Sequence, residues 1–373
     1  MADRVIHPLQ LKVGDALPFN ARDARGVLLL RQGQVITSLG QIERLVENVK
    51  SAESDGPVEI PRDRPLSKVS PLGLALEARR RLHALLSNPE PVDFTDEVRR
   101  IGSMLCKACS MNADVVLASI LLCRDEPYSV RHAVNVAVSS YITGKAMHLD
   151  ASTLTSIVSA ALTMNIGMFD LQQQLVSLKG TLNDELRQQV EIHCEHGTGL
   201  LQEYGVNDPL WLEIVRDHHE RPNGSGYPAH KSAASIAVPT QLVALGDIYC
   251  ARVSGRMYRS AMAPNEALRR LFLDEGAVAD EQYAALFIKT LGVYPPGTSV
   301  RLRNGSIGVV THRGVSGQRP RVSSITTQDG LLVSTPIRRS VESEAHAVSE
   351  VVNLDELDLS ISPAALWGGD ALL

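Results

Sequence analysis

Histidine is scarce in this chain, 11 among 373 residues, yet several fall where helices should meet. His218 and His219 are adjacent and lead into Glu220-Arg221-Pro222-Asn223-Gly224-Ser225-Gly226-Tyr227-Pro228. His193 lies one expected helix earlier, and His132 sits in the helical run Arg131-His132-Ala133-Val134-Asn135. Asp247 interrupts the apolar stretch 242–249. A carboxylate there is costly to bury unless it is paired or holds a metal. Helical bundles build metal centres from imidazoles and carboxylates projecting inward from several helices. Taken singly, each residue has an ordinary structural reading: a packed histidine, a paired aspartate, a glycine-rich turn. Their combination points to a metal-type site.

The elements that must position these side chains are helical. Between about 71 and 291, apolar residues recur at three and four places, as in Leu72, Ala75, Ala78 and Leu82. Asp208-Pro209 reads as an N-cap followed by Pro at the first helical position, and Pro239 is a second such Pro. Thr181 is placed to cap a helix carrying Asp184 and Glu185 in its first turn, and Gly205 to stop it. Towards the C-terminus the period changes to two. Asn304-Gly305 and Gln328-Asp329-Gly330 each lie between apolar runs and predict hairpins. The first 50 residues read as a small β/α unit with a turn at 23–26 and a helix over 41–49. Pro57, Pro61 and Pro65 mark 51–68 as a linker. The expected division is therefore 1–50, 51–68, a helical domain over 69–292, and a β appendage with an acidic tail over 293–373.

Composition narrows the classes. Lys and Arg number 37 against 42 Asp and Glu, a formal charge of −5, which argues against a dedicated nucleic-acid binder. Aromatics are 4%, so the core should rest on Leu, Val, Ile and Ala. No stretch reads as a membrane span, and the start has no secretory h-region. The five cysteines lack a framework spacing, and Cys106 and Cys109 lie on a helical pattern. A cytoplasmic protein with reduced, structural thiols is expected.

The 11 residues from His218 to Pro228 closely resemble the HHExxDGxGYP signature of HD-GYP proteins, a subgroup of the HD metal-dependent phosphohydrolase superfamily. His193-Cys194-Glu195-His196-Gly197 resembles the family's HPxxG. Gly246-Asp247-Ile248-Tyr249, followed by Arg256-Met257-Tyr258-Arg259, resembles its later ADxYDA and RpYR segments. The resemblance covers about 100–292. It implies a mainly α, HD-type helical bundle, with the small β-rich units at either end. Active members hydrolyse the bacterial second messenger cyclic di-GMP at a site of two or three metals, often iron or manganese. By position, the resemblance makes His132 the first metal ligand, His193, His218 and His219 later ligands, and Asp247 the last.

The name-giving dyad departs from the family. Where the family reads LLHDIGK, this chain reads Leu162-Thr163-Met164-Asn165-Ile166-Gly167-Met168. Met164 replaces the dyad His, Asn165 its Asp, and Met168 the following Lys. A neutral amide bridges cations poorly, and a thioether is too soft for iron or manganese hydrolase chemistry. Two-metal hydrolysis needs a water of lowered pKa and a clamp on both oxygens. Asn223 stands at a signature Asp, Cys250 at the second Asp of the later segment, and Tyr128 where trimetal members have Glu, with Glu126 close by.

The expectation is a degenerate, non-catalytic HD-GYP domain in cyclic di-GMP signalling, acting through a nucleotide or a GGDEF-domain partner. It would hold either one divalent iron or manganese ion or no metal. Gly226, Tyr227 and Pro228 form the loop that the resemblance links to GGDEF contacts, with Tyr227 either an exposed anchor or a packed turn residue. A homodimer fits the family, and neither nucleic acid nor membrane is expected as a partner. Two alternatives stay open. One is an active phosphodiesterase whose metal bridge is rebuilt by Asn165 or Asp170. The other is a metal-free nucleotide sensor using Arg216, Arg252 and Arg256. The arginines 301, 303, 313, 319 and 321 read as a solvated basic face.

Overall fold

Local capping chemistry starts half of the bundle helices. In this computed structural model, residues 20–22, 28–30, 34, 51–53, 69–90, 92–178, 183–255, 261–273, 279–314 and 319–373 are described. Ser70 accepts from the Gly73 amide at 2.9 Å and, with Pro71 behind it, opens α1 (Pro71–Ser87). Asp150 caps α4 (Ala151–Thr163), and Asp208 with Pro209 opens α7 (Pro209–Asp217) as expected. The cap of α6 (Asp184–Glu203) is Asn183, which accepts from the Leu186 amide at 2.8 Å. That corrects the expectation for Thr181, which lies outside the described residues. The other bundle helices are α2 (Phe94–Leu122), α3 (Tyr128–Ala146), α5 (Phe169–Ser177), α8 (Val238–Val253), α9 (Pro264–Leu273) and α10 (Glu281–Leu291). α2 breaks at Asn112 (φ −155°, ψ 97°), whose side chain accepts from the Asp114 and Val115 amides and so recaps the second half.

The chain divides into two compact units, Met1–Lys68 (with the terminal Leu373) and Val69–Leu372. In the first, β1 (Asn20–Arg22) pairs antiparallel with both β2 (Leu28–Leu30) and β3 (Ser51–Glu53). β3 takes its residues from the start of the expected linker, a correction. The expected helix over 41–49 lies outside the described residues. In the second unit, β4 (Ser299–Leu302), β5 (Ile307–His312), β6 (Arg321–Thr326), β7 (Leu332–Ser340) and β8 (Val348–Val351) form an antiparallel sheet of order β7-β6-β5-β4-β8. Both hairpin turns fall where the sequence places them, and Gly305 and Gly330 take φ of 88° and 84°.

This sheet is fastened to the bundle within one compact unit. Gly297 lies against the Ala118 carbonyl of α2, Arg313 pairs with Asp114 at 3.1 Å, and Asn112 donates to Asp370 at 2.7 Å. Ser70 donates to the Leu372 carbonyl, returning the chain end to the first bundle helix. Of the five C-terminal arginines, Arg303, Arg319 and Arg321 are exposed, as a solvated face requires, and Arg301 and Arg313 are half-buried. Arg301, Arg303 and Arg313 are paired with Glu350, Glu344 and Asp114. Arg319 and Arg321 join Arg338 and Arg339 around a cavity of about 670 Å³.

The bundle core is aliphatic, with Trp211, Phe94, Tyr249 and Phe287 as its largest buried rings. Two helical stretches, Phe94–Leu122 and Ala151–Gln172, are long and apolar enough to cross a membrane. This corrects the sequence expectation. About half of each is buried inside the protein, as core helices are. Arg79, fully buried, donates to the Cys123 and Ser119 carbonyls and to Asn135, tying α1 to α2 and α3.

Candidate metal centre

Two glycine contacts bring the site helices together. Gly167, in the turn after α4, faces Gly197 of α6, and a Cβ on Gly167 would lie 2.3 Å from the His193 carbonyl. Only a glycine at 167 allows that approach, whereas a Cβ on Gly197 would come no nearer than 3.2 Å to the turn. Gly246 on α8 packs against Ser139 and Ser140 of α3, where a Cβ would meet both hydroxyls at 2.9 Å. That crossing sets Asp247 of α8 opposite His132 of α3, and they hydrogen-bond at 2.7 Å. From α7, Trp211 donates its indole N–H to Thr163 at 2.8 Å, next to the dyad positions.

Of the five residues expected as ligands, His193, His218 and His219 fall in one donor group, while His132 is paired with Asp247 beside it. The ring centroids of His193, His218 and His219 lie 4.2–5.3 Å apart. Asp247 is 3.9 Å from the Nδ1 of His219. His193 donates Nδ1–H to the Val190 carbonyl, and His218 donates its Nδ1–H to the Val215 carbonyl at 2.8 Å. These bonds fix both tautomers, leaving Nε2 as a lone pair on each ring. The two Nε2 atoms face each other at 3.4 Å. Two acceptors aimed at one another across a buried space repel unless a cation lies between them, so the donor set fits a metal ion.

Electrostatics agree. Burial, reinforced by His218, brings His193 down to about 4. Burial likewise lowers His218 and, with His218 beside it, lowers His219. Neutral imidazoles are the metal-binding form. Burial alone would raise the Asp247 carboxyl. The His132 hydrogen bond and the surrounding histidines outweigh it and hold Asp247 ionised, well below the ordinary value.

The turn after α4 offers no charge. Met164 is fully buried in the aliphatic core, and the buried Oδ1 of Asn165 has no hydrogen-bond partner among the described residues. Met168 is half-buried where the family Lys would stand. Asp170, the substitute carboxylate considered above, is exposed. Glu126 turns to Arg79 at 3.6 Å, while Tyr128 stacks on His132 at 5.3 Å. Of the three arginines raised for phosphate binding, Arg216 is tied to Asp217 at 2.9 Å and Arg252 donates to the Ala267 carbonyl. Arg256 lies outside the described residues.

The signature loop is held from within. Glu220, 2% exposed, accepts from the Ala229 and Lys231 amides at 2.5 and 2.8 Å. Lys231 pairs with buried Asp217. Asn223 accepts from the Ser225 amide and hydroxyl, a turn-forming role that an Asp would fill equally. Gly226 is buried, and a Cβ there would lie 2.4 Å from the Arg221 nitrogen. Tyr227 is half-buried and packs on His219 at 4.8 Å, so the exposed anchor gives way to the packed turn residue. Pro228 beside it is also half-buried.

Cys194 joins the site although its place in the sequence does not mark it as a site residue. Its Sγ lies 3.6 Å from the His193 Nε2, and the donor atoms of His193, Cys194, His218 and His219 all lie within 4.8 Å of one another. The available signal was a cysteine standing where the HPxxG motif has proline. The other four cysteines are also free, and burial pushes the Cys106 thiol up to about 11.

Residues 116–282 match the model of the HD domain family. Among solved structures it is similar to Bd1817, an HDG"Y"P protein from Bdellovibrio bacteriovorus, with a TM-score of 0.52 and 16% identity over 73% of this chain and 94% of that one. It is 27% identical over 321 residues to a protein named cyclic di-GMP phosphodiesterase PA4108 of Pseudomonas aeruginosa, covering 78% of this chain and 77% of the relative. It is 24% identical over 158 residues to 3'3'-cGAMP-specific phosphodiesterase 1 of Vibrio cholerae, covering 42% of this chain and 36% of the relative.

Proposed function

We propose that this chain is a cyclic di-GMP signalling protein whose HD site binds without turnover. The observation that carries the reading is the neutral wall: buried Met164 and Asn165 stand where the dyad's imidazole and carboxylate would be. A bound metal in an active HD site supplies Lewis acidity and a water of lowered pKa. Here His193, His218 and His219 can hold an ion from one side, with Asp247 oriented by His132. No carboxylate faces them from the turn after α4 among the described residues. A second cation would therefore lack the bridging charge that two-metal hydrolysis requires.

The chain's own groups serve binding instead. Glu220 and Lys231 stiffen the Gly226-Tyr227-Pro228 loop, and Tyr227 couples its position to His219. This pre-orders a surface for a GGDEF-domain partner and links that surface to the state of the site. A homodimer remains part of this reading.

The test is cyclic di-GMP binding by calorimetry, alongside hydrolysis assays in iron and in manganese. Binding without linear or mononucleotide product is expected. Turnover in either metal would overturn the reading and point to an active phosphodiesterase with a rebuilt site.

A further inference from the structure

We propose that Cys194 completes a four-coordinate zinc site with His193, His218 and His219. The inference builds on the non-catalytic reading above and extends it to the identity and role of the metal. Zn–N bonds of about 2.05 Å at a tetrahedral angle place two nitrogens about 3.3 Å apart, and a Zn–S bond of about 2.3 Å places sulfur about 3.6 Å from nitrogen. The two Nε2 atoms of His193 and His218 are 3.4 Å apart, and Sγ of Cys194 is 3.6 Å from the first of them. Sγ also lies 4.0 Å from the Nδ1 of His193 and 3.9 Å from that of His218, so the thiol must turn about its χ1 to meet the Nε2 lone pairs; the four donor atoms already lie within 4.8 Å of one another.

The donor chemistry selects the ion. A thiolate with three imidazoles suits zinc, whereas iron and manganese hydrolase sites favour oxygen donors. Charge also fits one ion and no more. Binding releases the thiol proton to solvent, leaving one negative charge on Cys194 and another on Asp247 beside His219. Together they neutralise a single dication in a buried site. Four protein ligands leave no open position for a water, which distinguishes a structural zinc from a catalytic one. The ion would then lock α6 to α7 and set His219, on which Tyr227 of the signature loop packs. The neutral turn after α4 is what such a closed centre needs, since it asks for no ligand from Met164 or Asn165.

The full chain, purified without chelator, is analysed for metals and by zinc-edge X-ray absorption, and its cobalt(II)-substituted form by optical absorption. Expected are about one zinc per chain, one sulfur neighbour at about 2.3 Å, and a thiolate-to-cobalt charge-transfer band. Cys194→Ser should lose the band and lower zinc affinity about tenfold or more. An absorption spectrum with only nitrogen and oxygen neighbours overturns the proposal without any variant. A charge-transfer band that persists in Cys194→Ser overturns it as well. The two readings fail separately. Nucleotide turnover after exchange of the zinc for iron or manganese would sink the non-catalytic reading and leave the ligand set of the zinc form standing. Absence of sulfur ligation without turnover would sink the zinc ligand set alone.

Discussion

The wall of the site built by α6 and α7 is dense in metal donors, whereas the turn after α4 is apolar and neutral. The difference follows from how each wall is held. His193 and His218 are oriented by carbonyls three residues earlier on their own helices. Their geometry is local and persists whatever faces them. The turn carrying Met164, Asn165 and Gly167 contributes packing: Met164 fills the core, and Gly167 lets α6 approach. Such a histidine group could hold a metal ion and says nothing by itself about hydrolysis.

The largest effect should come from forcing the walls apart. Gly167→Ala places a Cβ 2.3 Å from the His193 carbonyl and 2.6 Å from the Gly197 amide nitrogen, both rigid backbone. A loss of about 3 kcal/mol in urea denaturation is expected. A stability equal to wild type would show that the turn does not bear on α6. Restoring the missing wall is the next test. Met164→His combined with Asn165→Asp should raise cyclic di-GMP hydrolysis in manganese at least roughly 10²-fold over wild type. No gain in a folded, metal-loaded double variant would mean that the defect lies elsewhere, Tyr128, Met168, Asn223 and Cys250 being the remaining departures.

The donor wall should also be the acid-labile one. His193 titrates at about 4 in the folded chain, below its ordinary 6.5, so between those values the unfolded chain binds more protons. Stability of the chelated protein should therefore fall as pH drops from 6.5 towards 4, by up to about 1.4 kcal/mol per pH unit for that proton. His193→Gln should flatten this dependence in a pH series of thermal melts, while Met164→Leu should leave it unchanged. The smallest effect is expected at Asn223→Asp, which keeps the acceptor for Ser225. A melting shift equivalent to no more than about 0.5 kcal/mol is expected, and a larger one would show that the amide N–H₂ matters.

Much of the site was legible because its signals are local. The His218–Pro228 signature, the isolated Asp247 and the capping residues at Asp208 and Pro209 each depend on near neighbours along the chain. The two hairpin glycines are legible for the same reason, since a left-handed φ restricts residue choice directly. Misreadings occurred where a role depends on distant segments. Ser51–Glu53 read as linker because three residues with no period show nothing until β1 lies beside them. Tyr227 offered two fates in sequence, and the ring of His219 decides between them. Cys194 read as one more reduced thiol because its neighbours in the chain do not reveal where α7 passes.

The sequence by itself determined which chemical groups this protein owns: three clustered imidazoles, a carboxylate in an apolar helix, and a dyad replaced by thioether and amide. Tertiary structure alone decided which of those groups meet. The helix approaches are set by Gly167 against Gly197 and by Gly246 against Ser139 and Ser140, contacts between residues far apart in the chain. From those approaches follow the pairing of His132 with Asp247, the 3.4 Å gap between two imidazole lone pairs, and the thiol beside it. Residue type is carried by the chain one position at a time, whereas a site exists only as distances between helices, and those are fixed by packing.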